Sequence, residues 1–249
     1  MSIELLIGIN SVEAALEHDA GNVLELLFDG GTDNARVKEL VEIARKHGIR
    51  PQPLPKTAIE RMADGERHQG IVARYRAPPP KTEDDLDALI TAAGNNALFL
   101  ILDGVTDPHN LGACLRSAEA AGVTAVIAPK DRAASLTATV RRASAGAADR
   151  VPLISVTNLA RALKVLKDHG VWLTGLAGEG TQTLYDVDLR GPVGIVMGGE
   201  GDGMRRLTRE SCDFVALIPM VGKVESLNVS VACGIALFEA LRQRSIKKK

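Results

Sequence analysis

Apolar positions recur along this chain in two rhythms. From residue 86 onward, short unbroken apolar runs alternate with stretches in which apolar residues return every three or four positions. The second rhythm predicts helices at 86–93, 111–121, 136–143, 159–169 and 228–244. The first predicts strands at 98–102, 123–128, 151–156, 171–176, 193–197 and 214–218. Continuous apolar strands interleaved with helices imply an α/β fold whose sheet is mainly parallel and covered on both faces. Upstream, 23–28 and 69–75 read as strands, the latter closing the unit, and 34–48 as a helix stopped by Gly48. Residues 57–60, Thr-Ala-Ile-Glu, have the form of a capping box opening a short helix. This first part is a compact α/β unit, about the smallest that folds alone. Three consecutive prolines, 78–80, favour an extended spacer. The expected organisation is a unit at 1–76, a linker at 77–85 and a larger unit at 86–249. Trp172 falls in a strand pattern and is expected in the core. The lysines at 247–249 read as a frayed terminus.

Composition narrows the class. With 249 residues and 45% hydrophobic content the chain can bury real cores. Cys114, Cys212 and Cys233 are odd in number and widely spaced, so neither a disulfide framework nor a zinc site is expected. The longest apolar segment, 229–238, is about half a membrane span. A soluble, cytoplasmic protein is expected, with no metal and no membrane. A net charge of −1 does not advertise nucleic-acid binding. The charge is unevenly spread, however: residues 1–80 carry −2, 81–90 carry −3 and 91–249 carry +4. Within 130–150, Lys130, Arg132, Arg141, Arg142 and Arg150 face only Asp131 and Asp149 as acids. Such a local patch can supply phosphate contacts. An ordinary solvated face is the competing reading.

Candidate chemistry gathers at predicted strand ends. The glycine-rich turn GGEGDG, 198–203, directly follows the apolar run 193–197. Ile218, Pro219 and Met220 end the run 214–218, and ESLNVSV, 225–231, leads into the last helix. Two strand ends and a helix start can frame a small-ligand pocket at the carboxyl edge of a sheet. The turn is no dinucleotide fingerprint, because Met204 stands where G-x-G-x-x-G needs glycine, and it lacks the Lys-Ser/Thr of a P-loop. A second segment, LILDGVTDPHNLGACLRSA at 100–118, runs from a strand into an alanine-rich helix. Asp107 and Asn110 suit caps and Pro108 suits the turn before a helix. Arg116 stands among small apolar neighbours, six residues and about 240° from Asn110 on an ideal helix. With Asn110 in the cap, both could reach one cleft; the alternative is an arginine on a solvated face.

These segments, with GMRRLTRE at 203–210 and IPM…SLNVSVA at 218–232, resemble the SPOUT-class RNA methyltransferases of the TrmH (SpoU) family over nearly the whole chain. Within it, the resemblance is nearest to the type that methylates a guanosine 2′-hydroxyl of 23S rRNA. It implies a trefoil-knotted C-terminal domain, S-adenosyl-L-methionine as cofactor, a homodimer and 23S rRNA or a pre-ribosomal particle as partner. It also implies that the first unit is an L30e-like substrate-binding domain, ending in the RHQG of 67–70. Arg116 would be the catalytic residue, beside Asn110, Glu200, Ser226 and Asn228. Its role is open between a base activated by substrate phosphate and a cation stabilising the developing alkoxide. The donor would lie on the backbone around Gly198, Gly201, Ile218, Met220 and Leu227. RNA would meet Arg132, Arg141, Arg142 and His68. His109 reads as a turn residue, and Arg205, Arg206 and Arg209 as a solvated face. The competing functions are a tRNA ribose methyltransferase of the same family, a non-catalytic RNA-binding protein of that fold and, less well supported, a nicotinamide-dependent dehydrogenase.

Overall fold

A computed structural model describes residues 2–77, 81–201 and 203–245 of the chain. The proline run at 78–80 and the lysine tail at 247–249 lie outside the described residues. The chain divides into two compact units, Met1–Pro79 and Pro80–Lys249.

The first unit runs β1 (Ser2–Ile7), α1 (Ile9–His18), β2 (Val23–Asp29), α2 (Ala35–Lys46), β3 (Pro51–Leu54), α3 (Lys56–Ala63) and β4 (Ile71–Ala77). Its sheet has the order β1-β4-β2-β3. The last strand of the unit is therefore not an edge but lies between β1 and β2, antiparallel to both. Three elements escape the hydrophobic pattern: β1, α1 and β3. Strand β3 carries Pro51 and Pro53, which a sheet tolerates only at its edge, and it pairs with β2 alone. Helix α2 has Asn34 as its cap, accepting from the Arg36 N–H, and Gly48 follows in the left-handed region at φ 77°. The expected capping box at 57–60 does not form. Pro55 leads into α3 without a side-chain cap, and Thr57 lies inside the helix, its carbonyl accepting from Arg61 Nε at 3.3 Å. Leu26, Ile71 and Ala73 face α1 and α2, while Leu27 and Val72 face Ile59 of α3.

The second unit runs α4 (Leu86–Ala93), β5 (Leu98–Asp103), α5 (Pro108–Ala120), β6 (Ala125–Pro129), α6 (Ala138–Ala143), β7 (Leu153–Val156), α7 (Leu159–Asp168), β8 (Trp172–Leu176), β9 (Gln182–Thr183), β10 (Val193–Gly198), α8 (Arg206–Ser211), β11 (Phe214–Leu217) and α9 (Val229–Ser245). It takes in the end of the expected linker. Residues 83–85 form a 3-10 turn whose Glu83 accepts from Arg161 Nε at 2.6 Å and Thr157 N at 3.3 Å. The seven strands have the order β7-β6-β5-β10-β8-β11-β9, and every described pairing is parallel. Strand β5 shows why its run is apolar throughout. Leu98, Leu100 and Leu102 pack toward α5 and α9, and Phe99 and Ile101 toward α4 and α7. The two-residue β9 gave no periodic signal. Trp172, expected in the core, is 56% exposed and stacks on Phe214 with ring centroids 5.8 Å apart. It is the first residue of β8.

Candidate active site

Neighbours in the sheet change direction at β5, which is flanked by β6 on one side and β10 on the other. In open parallel sheets the crevice beyond the strand ends at such a point is the usual ligand site. The segments singled out from sequence all leave the sheet from strand ends: β5 into α5, β10 into the glycine-rich turn, β11 into the stretch before α9.

Asp107 caps α5 by accepting from His109 N at 3.0 Å, and Pro108 takes the first helical position. Asn110 is therefore inside the first turn of the helix, not in the cap. From there its Nδ2 donates to Glu200 Oε1 at 2.6 Å, and its Oδ1 accepts from Asn228 Nδ2 at 3.0 Å. Asn228 in turn caps α9, its Oδ1 accepting from Ser230 N at 2.9 Å and Ser230 Oγ at 2.6 Å. One amide thus joins three segments separated by 90 and 118 positions in sequence.

Behind this network lies a cavity of about 480 Å³. Gly198, Gly201, Ile218, Met220 and Leu227 line it, as do Glu200, Ser226 and Asn228. The pattern had not pointed to Leu176, Ala177 and Gly178, which form the wall at the end of β8. The signal was available, since that strand ends at the same sheet edge. The walls combine apolar side chains (Leu176, Met197, Ile218, Leu227) with backbone and with the carboxylates of Glu200 and Glu225. Such a lining fits a flat heterocycle attached to a cationic centre, and its size is that of a cofactor pocket. Glycine is demanded at 198 because a Cβ there would stand 2.2 Å from the carbonyl carbon of Gly203. The turn's own backbone imposes this, rather than the approach of a ligand. Gly201, at φ 93°, meets a conformational demand instead.

Arg116 does not line the cavity. It is exposed on α5 and has no hydrogen-bond or ion-pair partner among the described residues. The basic patch is also thinner than its composition. Arg141 pairs with Asp149, and Arg150 with Glu119 at 3.3 Å. Lys130, Arg132 and Arg142 are exposed, without carboxylate partners among the described residues, and Arg142 reaches Thr139 Oγ1 at 3.5 Å. His68, in the first unit, is half-buried and its Nδ1 accepts from Gly70 N at 3.0 Å. His109 is exposed at the start of α5. Arg206 and Arg209 form surface pairs with Glu210 and Glu179. Arg205 is exposed as expected, but it also binds the buried Asp103 through its backbone and its guanidinium. A carboxylate so enclosed needs such a partner, since an uncompensated buried charge is strongly destabilising.

The cysteines offer no nucleophile. Burial, first, and the neighbouring Asp213 push the Cys212 thiol up to about 11. A hydrogen bond with Cys114 and burial raise Cys233 well above the ordinary thiol value. Among the described residues no group of three or more His, Cys, Asp or Glu is placed to hold a metal ion. No helix among them is long and apolar enough to cross a membrane.

Comparison with known proteins gives a consistent outcome. Residues 97–238 match the SpoU rRNA methylase family, and residues 5–81 match a family described as RNA 2′-O ribose methyltransferase substrate binding. The 23S rRNA (guanosine-2′-O-)-methyltransferase RlmB of Xanthomonas campestris pv. campestris is 57% identical over 239 residues, 96% of each chain. RlmB of Vibrio cholerae is 51% identical over 244 residues, 98% of each. Among solved structures, the SpoU methyltransferase AviRb from Streptomyces viridochromogenes, in complex with the cofactor AdoMet, superposes with a TM-score of 0.76 at 26% identity. That match covers 97% of this chain and 90% of AviRb. A TrmH/SpoU tRNA modifying enzyme of A. aeolicus matches with a TM-score of 0.56 at 29% identity, covering 65% of this chain and 83% of its own. With a cavity framed by the motif-bearing strand ends, a matching family over most of the second unit and relatives aligned end to end, the chain belongs to the SpoU rRNA methylase family.

Proposed function

We propose that this protein transfers a methyl group from S-adenosyl-L-methionine to the ribose 2′-hydroxyl of a guanosine in 23S rRNA. The observation that carries the reading is the Asn110–Glu200–Asn228 network at the rim of the 480 Å³ cavity. The relatives matched end to end bear the name of this activity. When bound, S-adenosyl-L-methionine supplies an electrophilic methyl on a sulfonium. The backbone at Gly198, Gly201, Ile218, Met220 and Leu227 would hold it, and Glu200 and Glu225 would favour its positive charge.

The chain's remaining task is to place the hydroxyl and let it ionise. Methyl transfer is an in-line displacement, so alignment of the two reactants can contribute roughly 7–11 kcal/mol. Asn110, Glu200, Ser226 and Asn228 bind and orient the nucleoside at the rim. A guanidinium stays charged, so Arg116 acts as the cation that stabilises the developing alkoxide, while the hydroxyl proton passes to solvent and S-adenosyl-L-homocysteine leaves as the methyl C–S bond breaks. The freedom of Arg116 from any carboxylate among the described residues leaves its charge available for that purpose. Lys130, Arg132 and Arg142, with Arg141 beside them, meet phosphates. The first unit, with His68, binds the RNA, and the second is the catalytic domain.

The family resemblance further supports a trefoil-knotted path through the second unit, a homodimer and a cytoplasmic location. Dimer formation accords with the apolar side chains left exposed on and before α9, among them Val221, Val224, Val231 and Phe238. The deciding experiment incubates the protein with labelled S-adenosyl-L-methionine and separate rRNA and tRNA pools, then digests to nucleosides. Label in 2′-O-methylguanosine from 23S rRNA is expected. Label confined to tRNA would move the enzyme to another substrate, and none in either pool would end the reading.

A further inference from the structure

At the carboxyl end of β5 stands an ion pair that the proposed chemistry leaves unused. Asp103 is buried, and its carboxylate is held by one residue at three points. Arg205 N donates at 2.9 Å and Nε at 2.6 Å, and Nη2 stands at 2.5 Å. Both guanidinium nitrogens converge on Oδ1 while the backbone N–H takes Oδ2, so the carboxylate is fixed in direction as well as distance. The placement matters more than the strength. Asp103 is the register partner of Gly198, where the glycine-rich turn begins, while Arg205 stands where α8 begins. One pair therefore ties both ends of the turn to the end of a single strand. Close backbone packing tightens the arrangement. A Cβ on Gly199 would come within 2.2 Å of the Gly104 carbonyl oxygen, and Gly199 bridges to Gly203. Asp103 also opens the loop into α5, the helix that carries Asn110. Glu200 sits between the two anchors and receives Asn110 Nδ2 at 2.6 Å.

We infer that Asp103 and Arg205 are positioning residues for methyl transfer: their pairing fixes the glycine-rich turn against the start of α5, so that Glu200 meets Asn110 and, through it, Asn228. The inference rests on the function proposed above. All three arginines 205, 206 and 209 are exposed, but the partner of Arg205 is buried whereas those of Arg206 and Arg209 lie at the surface. An arginine that only touched RNA would set RNA affinity, whereas one that sets the turn governs the rate once both substrates are bound.

The test uses the full-length protein with Arg205→Ala and Arg205→Lys, each alone and combined with Glu200→Ala. Single-turnover methyl transfer is measured at saturating donor and rRNA, alongside RNA affinity and thermal melting. Arg205→Ala is expected to slow transfer by about tenfold or more, with RNA affinity within about twofold of wild type. Arg205→Lys keeps the charge but not the paired guanidinium contacts to Oδ1, falls between wild type and the alanine variant, and carries the test alone should the alanine variant not fold. In the Glu200→Ala background, either Arg205 substitution should cost less than about twofold, because the pairing acts through Glu200. An unchanged rate at saturation with weakened RNA binding would make Arg205 a phosphate contact and overturn the inference. So would losses of equal size in both backgrounds, or losses that follow melting temperature alone. If the wild-type protein itself fails to methylate rRNA, the proposed function falls instead.

Discussion

At the scale of single residues, the cavity and the proposed reacting group are separable. Arg116 is exposed and lines no part of the cavity, so Arg116→Ala should leave S-adenosylhomocysteine affinity within about twofold while lowering turnover by roughly 10²–10³-fold, the usual cost of losing one preorganised charge at a developing oxyanion. Calorimetry beside a turnover assay checks both, and normal turnover would remove Arg116 from the chemistry. Gly198→Val should act in the opposite sense. Its side chain would collide with the Gly203–Met204 backbone and push the turn out of place, so donor affinity should fall by at least about tenfold, or roughly 1.4 kcal/mol. Unchanged affinity in a folded variant would put the donor elsewhere. The cavity residues on the glycine-rich turn and before α9 could be read from sequence because they stand where apolar runs stop and glycine or asparagine begins, whereas Leu176, Ala177 and Gly178 at the end of β8 were missed. Arg205 could not. An exposed arginine after a glycine-rich turn looks the same whether or not it also reaches a carboxylate 102 positions away.

Single elements show the same division. Helix α5 was visible in outline, but its start was misjudged by three residues because Asp107 and Asn110 are both good caps and only the tertiary network chooses between them. Helix α9 is apolar on more than one side: Cys233, Ala236, Leu237 and Ala240 are buried, while Val231 and Phe238 are exposed. Its last turns are secured by polar contacts instead. Gln243 accepts from Leu189 N at 2.9 Å and donates to the Val187 carbonyl at 3.0 Å, while Arg244 donates to the carbonyls of Leu189, Asn96, Ala97 and Gly191. Glu239 belongs to this set. Hydrogen bonds from Arg242, chiefly, and Gln243 hold its carboxyl below the ordinary value of 4.5. A carboxyl lowered by folding stabilises the protein above its unfolded-state value and ceases to do so as pH falls through its folded-state value. Glu239→Gln should therefore remove part of the acid-side decline in stability, a change that urea denaturation across pH 3–6 would detect. An identical acid limb in the variant would show that Glu239 does not contribute to it.

For the whole molecule, two units imply two contributions to catalysis. The fragment 82–249 contains the cavity, the amide network and the complete parallel sheet. It should fold and bind S-adenosylhomocysteine with near wild-type affinity, yet methylate 23S rRNA at least about tenfold more slowly, because binding energy from a remote part of a substrate can be used to orient the reacting part. Full-rate methylation by the fragment would show that the first unit does not recognise the substrate. The parallel character of the larger sheet was evident from its unbroken apolar strands, but its strand order was not, because periodicity says which face a residue takes and nothing about which strand lies beside it. That order has a bearing on biosynthesis. Leu98 pairs with Val193, so β5, the strand at the heart of the sheet, has an open edge until β10 has been made. At about 5–20 residues per second on a ribosome, that edge waits on the order of 5–20 s for its neighbour. A nascent chain stalled in that interval presents an apolar strand with unpaired backbone groups to other chains. Newly made molecules should therefore depend on chaperone protection more heavily than the finished protein's buried core would suggest.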